Sequence, residues 1–321
     1  MAGRSGEDPY FRSTTAPSAA PSSMAVDAPG VAPEVARLQL RVAALSVVGP
    51  VRETNEDCVG WFDAAGLDLA GTPGEAVRSV ALGGPAVGLM MADGLGGHGR
   101  GDLASRTATR IVLESLVAAQ RPGPGPGEVR TALEVANGAL LAGELDGATD
   151  RRPGPQTTAT VLVFTDDSVQ VANVGDTRLY RMRDDVVELL TKDHSQAAEL
   201  LRMKVITPHQ ARRHPGRHLL TRSVGADLTL RVDSVGRAVY PGDIYAVCTD
   251  GCWSGLERED FEAAFSEDPA AGARRLVERA IEMGGDDNAS VAIIRVDAVG
   301  PSRDALATDR PFWRRFLGSR P

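Results

Sequence analysis

Ten short runs rich in Val, Ile, Leu and Ala recur between residues 38 and 296, and only three long stretches among them carry apolar residues at helical spacing. The runs are 38–48, 58–62, 86–92, 159–164, 168–174, 178–182, 186–190, 230–235, 243–248 and 289–296. The helical stretches are 102–120, 128–145 and 268–283, the last ending at Gly284-Gly285 as a helix should. Shorter helices are predicted at 194–203, at 208–213 after a capping Thr207, and at 260–265. Two helices follow one another after the third run, then come hairpin-like strands. This is not the strand–helix alternation of a doubly wound sheet. The pattern predicts an α+β body with antiparallel sheets between helical layers.

The ends differ from this body. Residues 1–36 are rich in Pro, Ser, Ala and Gly and read as a disordered lead-in. Residues 298–321 read as a short basic tail, in which Phe312, Trp313 and Phe316 form either a disordered end or a docking or membrane-surface motif. Ser13, Thr14 and Thr15 after Arg12 are possible phosphate acceptors. The body spans 37–297, and the Pro-Gly run at 122–127 is expected to be a connector between helices. Acidic side chains outnumber basic ones 43 to 35, and a net charge of −8 argues against nucleic-acid binding. No apolar run approaches the ~20 residues of a transmembrane helix, and the first thirty residues lack the core of a secretory signal. A cytoplasmic protein is expected. Cys248 and Cys252 have no second pair or neighbouring His to complete a zinc site.

Carboxylates stand at the edges of the β-like runs: Asp57, Asp93, Asp176, Asp250 and Asp287. Singly, Asp93-Gly94 and Asp250-Gly251 read as turn signals. Together they come from distant parts of the chain, and stacked sheets can bring their ends to one place. Clustered anions raise one another's pKa or require a cation. Oxygen donors without a His or Cys set select Mg²⁺ or Mn²⁺. Two such ions about 4 Å apart activate a water for attack on a phosphoester. Arg52, five residues before Asp57, is either a phosphate fork or a solvated surface side chain.

Gly94-Leu95-Gly96-Gly97-His98-Gly99 also satisfies G-x-G-x-x-G between a strand and a helix. A dinucleotide site is disfavoured, because Asp93 would face the pyrophosphate and no acidic residue ends a second strand about 20 residues on. His98 is either a loop histidine bonded to backbone or a member of the site.

These segments, with Arg52-Glu53-Thr54-Asn55-Glu56-Asp57, Thr157-Thr158-Ala159-Thr160, Gly175-Asp176-Thr177-Arg178, Asp193-His194-Ser195, Thr249-Asp250-Gly251 and Asp286-Asp287-Asn288, resemble in order a bacterial metal-dependent protein serine/threonine phosphatase of type 2C. The resemblance implies a four-layer α/β/β/α sandwich, two antiparallel sheets flanked by antiparallel helix pairs, with residues 37–297 as the catalytic domain. It implies that Asp93 bridges two Mn²⁺ or Mg²⁺ ions, that the Gly94 carbonyl and Asp250 serve one and Asp287 the other, and that Glu56 and Asp57 act through water. Asp176 matches a weaker third site, Arg52 the phosphate grip, and residues 200–219 a flap beside the site. The implied partners are phosphorylated proteins, a Ser/Thr protein kinase and its substrates. Leu95 stands where animal relatives carry the His proposed as general acid, which leaves the proton donor open, with metal-bound water the expectation. Lys204 and His218 replace a usual Gly and Asn of the flap, and Thr177 a usual Ser. The alternative is a phosphoprotein-binding regulator on the same fold with little turnover.

Overall fold

A strand covered on both faces must be apolar at nearly every position, and several of the runs read that way because they end up between two layers. The computed structural model describes residues 37–69, 74–96, 100–119, 124–143 and 154–300, all within one unit, Val35–Pro321. The lead-in at 1–36, His98, and the tail motif at Phe312, Trp313 and Phe316 lie outside the described residues.

The strands are β1 (Leu38–Val47), β2 (Asp57–Asp63), β3 (Gly66–Leu69), β4 (Gly74–Gly84), β5 (Val87–Leu95), β6 (Gln156–Thr157), β7 (Ala159–Thr165), β8 (Ser168–Val174), β9 (Arg178–Arg183), β10 (Val186–Leu189), β11 (Asp233–Ala238), β12 (Ile244–Cys248) and β13 (Ala289–Ala298). They form two antiparallel sheets, β10-β9-β12-β13-β1-β4 and β11-β8-β7-β5-β2-β3, with the short β6 on β5. The helices are α1 (Arg100–Ala118), α2 (Pro126–Leu141), α3 (Gln196–Arg202), α4 (Pro208–Arg212), α5 (Asp250–Trp253), α6 (Arg258–Phe265) and α7 (Pro269–Glu282).

Three apolar clusters show how the layers stack. Alternate residues of β13 divide between them: Ala292, Ile294 and Val296 meet Leu162 and Phe164 of β7 between the sheets. Val291 and Ile293 instead meet Leu276 and Val277 of α7. On the other outer face Val161 and Val163 of β7 pack against Val112 and Leu116 of α1 and Leu133 of α2. The order is therefore α1/α2, sheet, sheet, α6/α7, the expected four-layer sandwich.

The differences from the expected elements are local. The pattern marks no strand between 63 and 85, yet β3 and β4 lie there at the outer edges of the two sheets, where less of each strand is covered and the apolar signal is weaker. The run at 230–235 becomes a strand only from Asp233, where Asn173 offers a partner; Leu230 and Val232 are buried without one. The Pro-Gly run is more than a connector, since Pro126 opens α2 behind Gly125 as N-cap. Thr207 caps α4 as expected, accepting from the Gln210 N–H at 3.3 Å. Lys204 holds φ at 59°, the left-handed region that favours glycine, the residue the family resemblance leads one to expect there.

Candidate metal centre

The antiparallel register sets the first pair of carboxylates, because β2 and β5 place Asp57 directly opposite Asp93. Asp93-Gly94 is not a turn: β5 runs on to Leu95, and Gly94 pairs with Thr157 of β6. The Asp93 backbone is clamped on both sides. Its N–H donates to Thr158 Oγ1 at 2.9 Å, and its carbonyl accepts from the Thr158 N–H and Thr157 Oγ1, each at 2.8 Å. Thr158 Oγ1 also bonds Thr177 Oγ1 at 2.7 Å, which ties β5 to the loop bearing Asp176.

Asp250 is the first residue of α5 rather than a turn, and the last residue of that helical turn, Trp253, reaches back to the Asp176 loop. Its Nε1–H donates to the Asp176 carbonyl at 3.0 Å. The Arg178 guanidinium stacks 3.4 Å from the Trp253 ring and forks onto Asp193, with Nη2 2.7 Å from Oδ2. His194 Nδ1 accepts from the Gly175 N–H at 3.1 Å, so the ring proton sits on Nε2, facing Asp233 at 3.4 Å.

Asn288 joins the remaining segments. Its side chain donates to the carbonyls of Val48 and Thr54, and accepts from the Glu56 N–H, each bond 2.8–2.9 Å long. This brings Arg52 to Asp287, with Nη2 2.7 Å from Oδ2. Burial disfavours the Arg52 charge, but Asp287 outweighs it and holds the pKa raised. From the 3₁₀ turn at Pro215–His218, His218 Nδ1 lies 3.1 Å from Asp250 Oδ2.

A cavity of about 880 Å³ opens here, and Arg52, Glu56, Asp93, Gly94, Asp250 and Asp287 line it. Asp57 and Asp176 stand behind its wall, 3% and 4% exposed. One Asp57 oxygen accepts from Thr249 Oγ1 at 2.9 Å and Ser290 Oγ at 2.6 Å. Sequence reasoning passed over Thr158, Thr249, Trp253, Ser290 and the role of Asn288. Thr158, Thr249 and Asn288 lie inside the quoted motifs, but nothing in a Thr or an Asn says which backbone group it will hold.

The electrostatics bear on ion binding. Burial pushes the Asp93 pKa well up, and the charges of Asp57, Asp250, Asp176 and Asp287 add to the rise. Four carboxylates from separate segments thus act on one, and among the described residues no basic side chain pairs with Asp93. Burial also raises Asp176, helped by Asp250 and Asp193, and raises Glu56 although the Gly101 N–H opposes it. Among the described residues no three His, Cys, Asp or Glu groups already form a cage. The carboxylates are turned instead to local partners: Asp287 to Arg52, Asp250 to His218, Asp57 to two hydroxyls. The donor set is nonetheless all oxygen and short of cations, which suits hard divalent ions.

A family model of protein phosphatase 2C matches residues 76–281. The chain belongs to the protein phosphatase 2C family. This phosphatase 2C chain is 32% identical over 268 residues to the serine/threonine protein phosphatase PstP of Mycobacterium tuberculosis, covering 81% of the chain and 45% of PstP. It is 29% identical over 230 residues to the serine/threonine phosphatase stp of Listeria innocua, covering 68% of the chain and 87% of stp. Among solved structures, the PPM Ser-Thr phosphatase MsPP from Mycobacterium smegmatis in complex with cacodylate has a TM-score of 0.60 at 33% identity, covering 80% of the chain and 97% of MsPP. The catalytic domain of PstP in complex with two manganese ions has a TM-score of 0.63 at 29% identity, covering 81% and 99%.

Proposed function

We propose that this protein hydrolyses phosphoserine and phosphothreonine in proteins, opposing a Ser/Thr kinase, and that residues 37–297 are its catalytic domain. The observation that carries this reading is the convergence of Asp93, Asp250 and Asp287 on one cavity, with Asp57 and Asp176 buried behind its wall and no basic side chain among the described residues paired with Asp93. In this reading Asp93, the Gly94 carbonyl, Asp250 and Asp287 hold two Mn²⁺ or Mg²⁺ ions, with Glu56 and Asp57 acting through water. Asp176 and Asp250 hold a weaker third. The bound ions supply charge neutralisation and an activated water. For Asp287 and Asp250 to hold ions, Arg52 would turn from Asp287 and His218 from Asp250. Arg52 then turns its fork to two phosphate oxygens, a geometry guanidinium groups favour. Thr249 and Ser290 keep Asp57 in place throughout. A cytoplasmic setting agrees with the three free cysteines, Cys58, Cys248 and Cys252, and no helix among the described residues is long and apolar enough to cross a membrane.

Release of phosphate from a phosphothreonine peptide should require Mn²⁺ and fall at least about a hundredfold in Asp250→Asn. Equal release by variant and parent, or none by the parent at any Mn²⁺ concentration, removes the reading; the second result would favour the non-catalytic regulator. Saturating Mn²⁺, at about 100 times its Kd, should stabilise the protein by about 2.7 kcal/mol. In a domain of this size that is a rise in Tm of roughly 5–10 °C, readable by differential scanning fluorimetry.

Trp253→Phe keeps the ring under Arg178 and removes only the bond to the Asp176 carbonyl. A lost hydrogen bond of about 1 kcal/mol should weaken Mn²⁺ binding by Asp176 and Asp250 roughly fivefold, seen in a calorimetric titration. An unchanged isotherm would show that the indole does not position Asp176.

A further inference from the structure

A separate cavity lies beside β11, the strand that ends its sheet and, among the described residues, pairs only with β8. Its volume is about 540 Å³, within the range of ligand sites. Val171, Leu190 and Val235 supply an apolar floor, and Arg130, Lys192 and Arg237 stand at its rim from three different parts of the chain. Arg237 bonds only the Gly236 carbonyl, at 3.0 Å, and no carboxylate among the described residues pairs with any of the three. Among the described residues most arginines are paired with a neighbouring carboxylate, as Arg41, Arg178, Arg183 and Arg279 are. The one acidic residue in the wall, Asp233, is neutralised by Arg222 at 2.8 Å. The groove is therefore a local concentration of free positive charge on a chain of net charge −8.

We infer that this groove docks an extended acidic segment of the phosphoprotein substrate, an inference that rests on the phosphatase reading above. Three features select that occupant. Among the described residues β11 has no strand on its outer edge, which leaves backbone N–H and C=O groups there for an added strand. The floor accepts alternate apolar side chains, and the rim attracts carboxylates or phosphates. Reach is the third: Asn173 lines the groove and is three residues from Asp176, a backbone span of at most about 10 Å. A peptide with its phosphoresidue at the metal centre would therefore need about three or more extended residues to reach the groove.

The test uses the full chain with Mn²⁺ and two phosphothreonine peptides, one short and neutral, the other extended by four Glu residues placed four to eight positions from the phosphothreonine. The acidic peptide should be cleaved with a kcat/KM about tenfold higher, through KM. Lys192→Glu combined with Arg237→Glu should abolish that advantage while leaving kcat and cleavage of the short peptide unchanged. Both side chains are exposed, so the fold should tolerate the change. Anisotropy of a labelled Glu-rich peptide without phosphate reads docking independently of turnover: its affinity should weaken about tenfold in the double variant and fall with salt. No binding of that peptide by the parent, or binding that survives charge reversal, overturns the groove. Loss of short-peptide cleavage in the parent would instead overturn the phosphatase reading.

Discussion

Asp93→Asn should lower Mn²⁺-dependent cleavage of a phosphothreonine peptide by about a thousandfold or more, yet make the ion-free protein more stable. The first effect follows from removing the carboxylate proposed to bridge both ions. The second follows from the raised pKa of Asp93, which burial and four neighbouring carboxylates cause. An unfolded Asp ionises near about 3.9, so above that pH the unfolded chain sheds a proton that the ion-free native state retains. Native proton binding exceeds unfolded binding, and stability falls as pH rises toward the folded pKa. The amide never ionises and escapes this penalty. At pH 7.5 in a chelator the variant should gain about 1–2 kcal/mol, or roughly 3–6 °C in Tm. The gain should shrink as pH is lowered and vanish below about pH 4. Added Mn²⁺ should reverse the order, stabilising the parent and not the variant. A variant less stable than the parent in chelator at pH 7.5 would mean that Asp93 is not held under repulsion.

Gly94→Ala should be among the most damaging single-methyl additions in the chain. A Cβ at this position would collide with the carbonyl of Gly101 at the start of α1 and come within 2.6 Å of the Glu56 carbonyl. Both are backbone groups, so no side-chain rotation relieves the clash. One cannot move without shifting α1, the other without shifting the segment that carries Glu56 and Asp57. Overpacking of this kind costs about 3 kcal/mol, a fall in Tm of roughly 6–12 °C. Activity should fall further than stability, because the clash also shifts Gly94, whose own carbonyl is a proposed ion ligand beside Asp93. The measurement is Tm together with kcat/KM at saturating Mn²⁺. A Tm within about 2 °C of the parent with full activity would show that β5 and α1 separate freely.

Much of this centre is legible in the sequence. The five aspartates stand out because each borders an apolar run, and a charge beside buried strands needs a reason. Arg52 was ambiguous from its neighbours and acquires meaning only from Asp287, 235 residues away. The Asp-Gly pairs misled locally. As isolated dipeptides they favour turns, but Gly94 is there because two backbones approach its Cα, a constraint that exists only when α1 is docked. Thr249 and Ser290 carried no signal, since a hydroxyl is equally at home in solvent and against a buried Asp57.

What the sequence determined alone is the class of fold and the kind of ligand: runs apolar at nearly every position need cover on both faces, and a donor set without imidazole or thiolate favours hard ions. What only the tertiary structure decided is which groups face one another. Asp57 stands opposite Asp93 by strand register, and Trp253 spans from α5 to the Asp176 loop. Arg130, Lys192 and Arg237 become one groove because separate segments end beside the same strand. Local pattern records whether a residue will be buried. Partnership between distant residues depends on how whole layers stack, and no short window of sequence contains that.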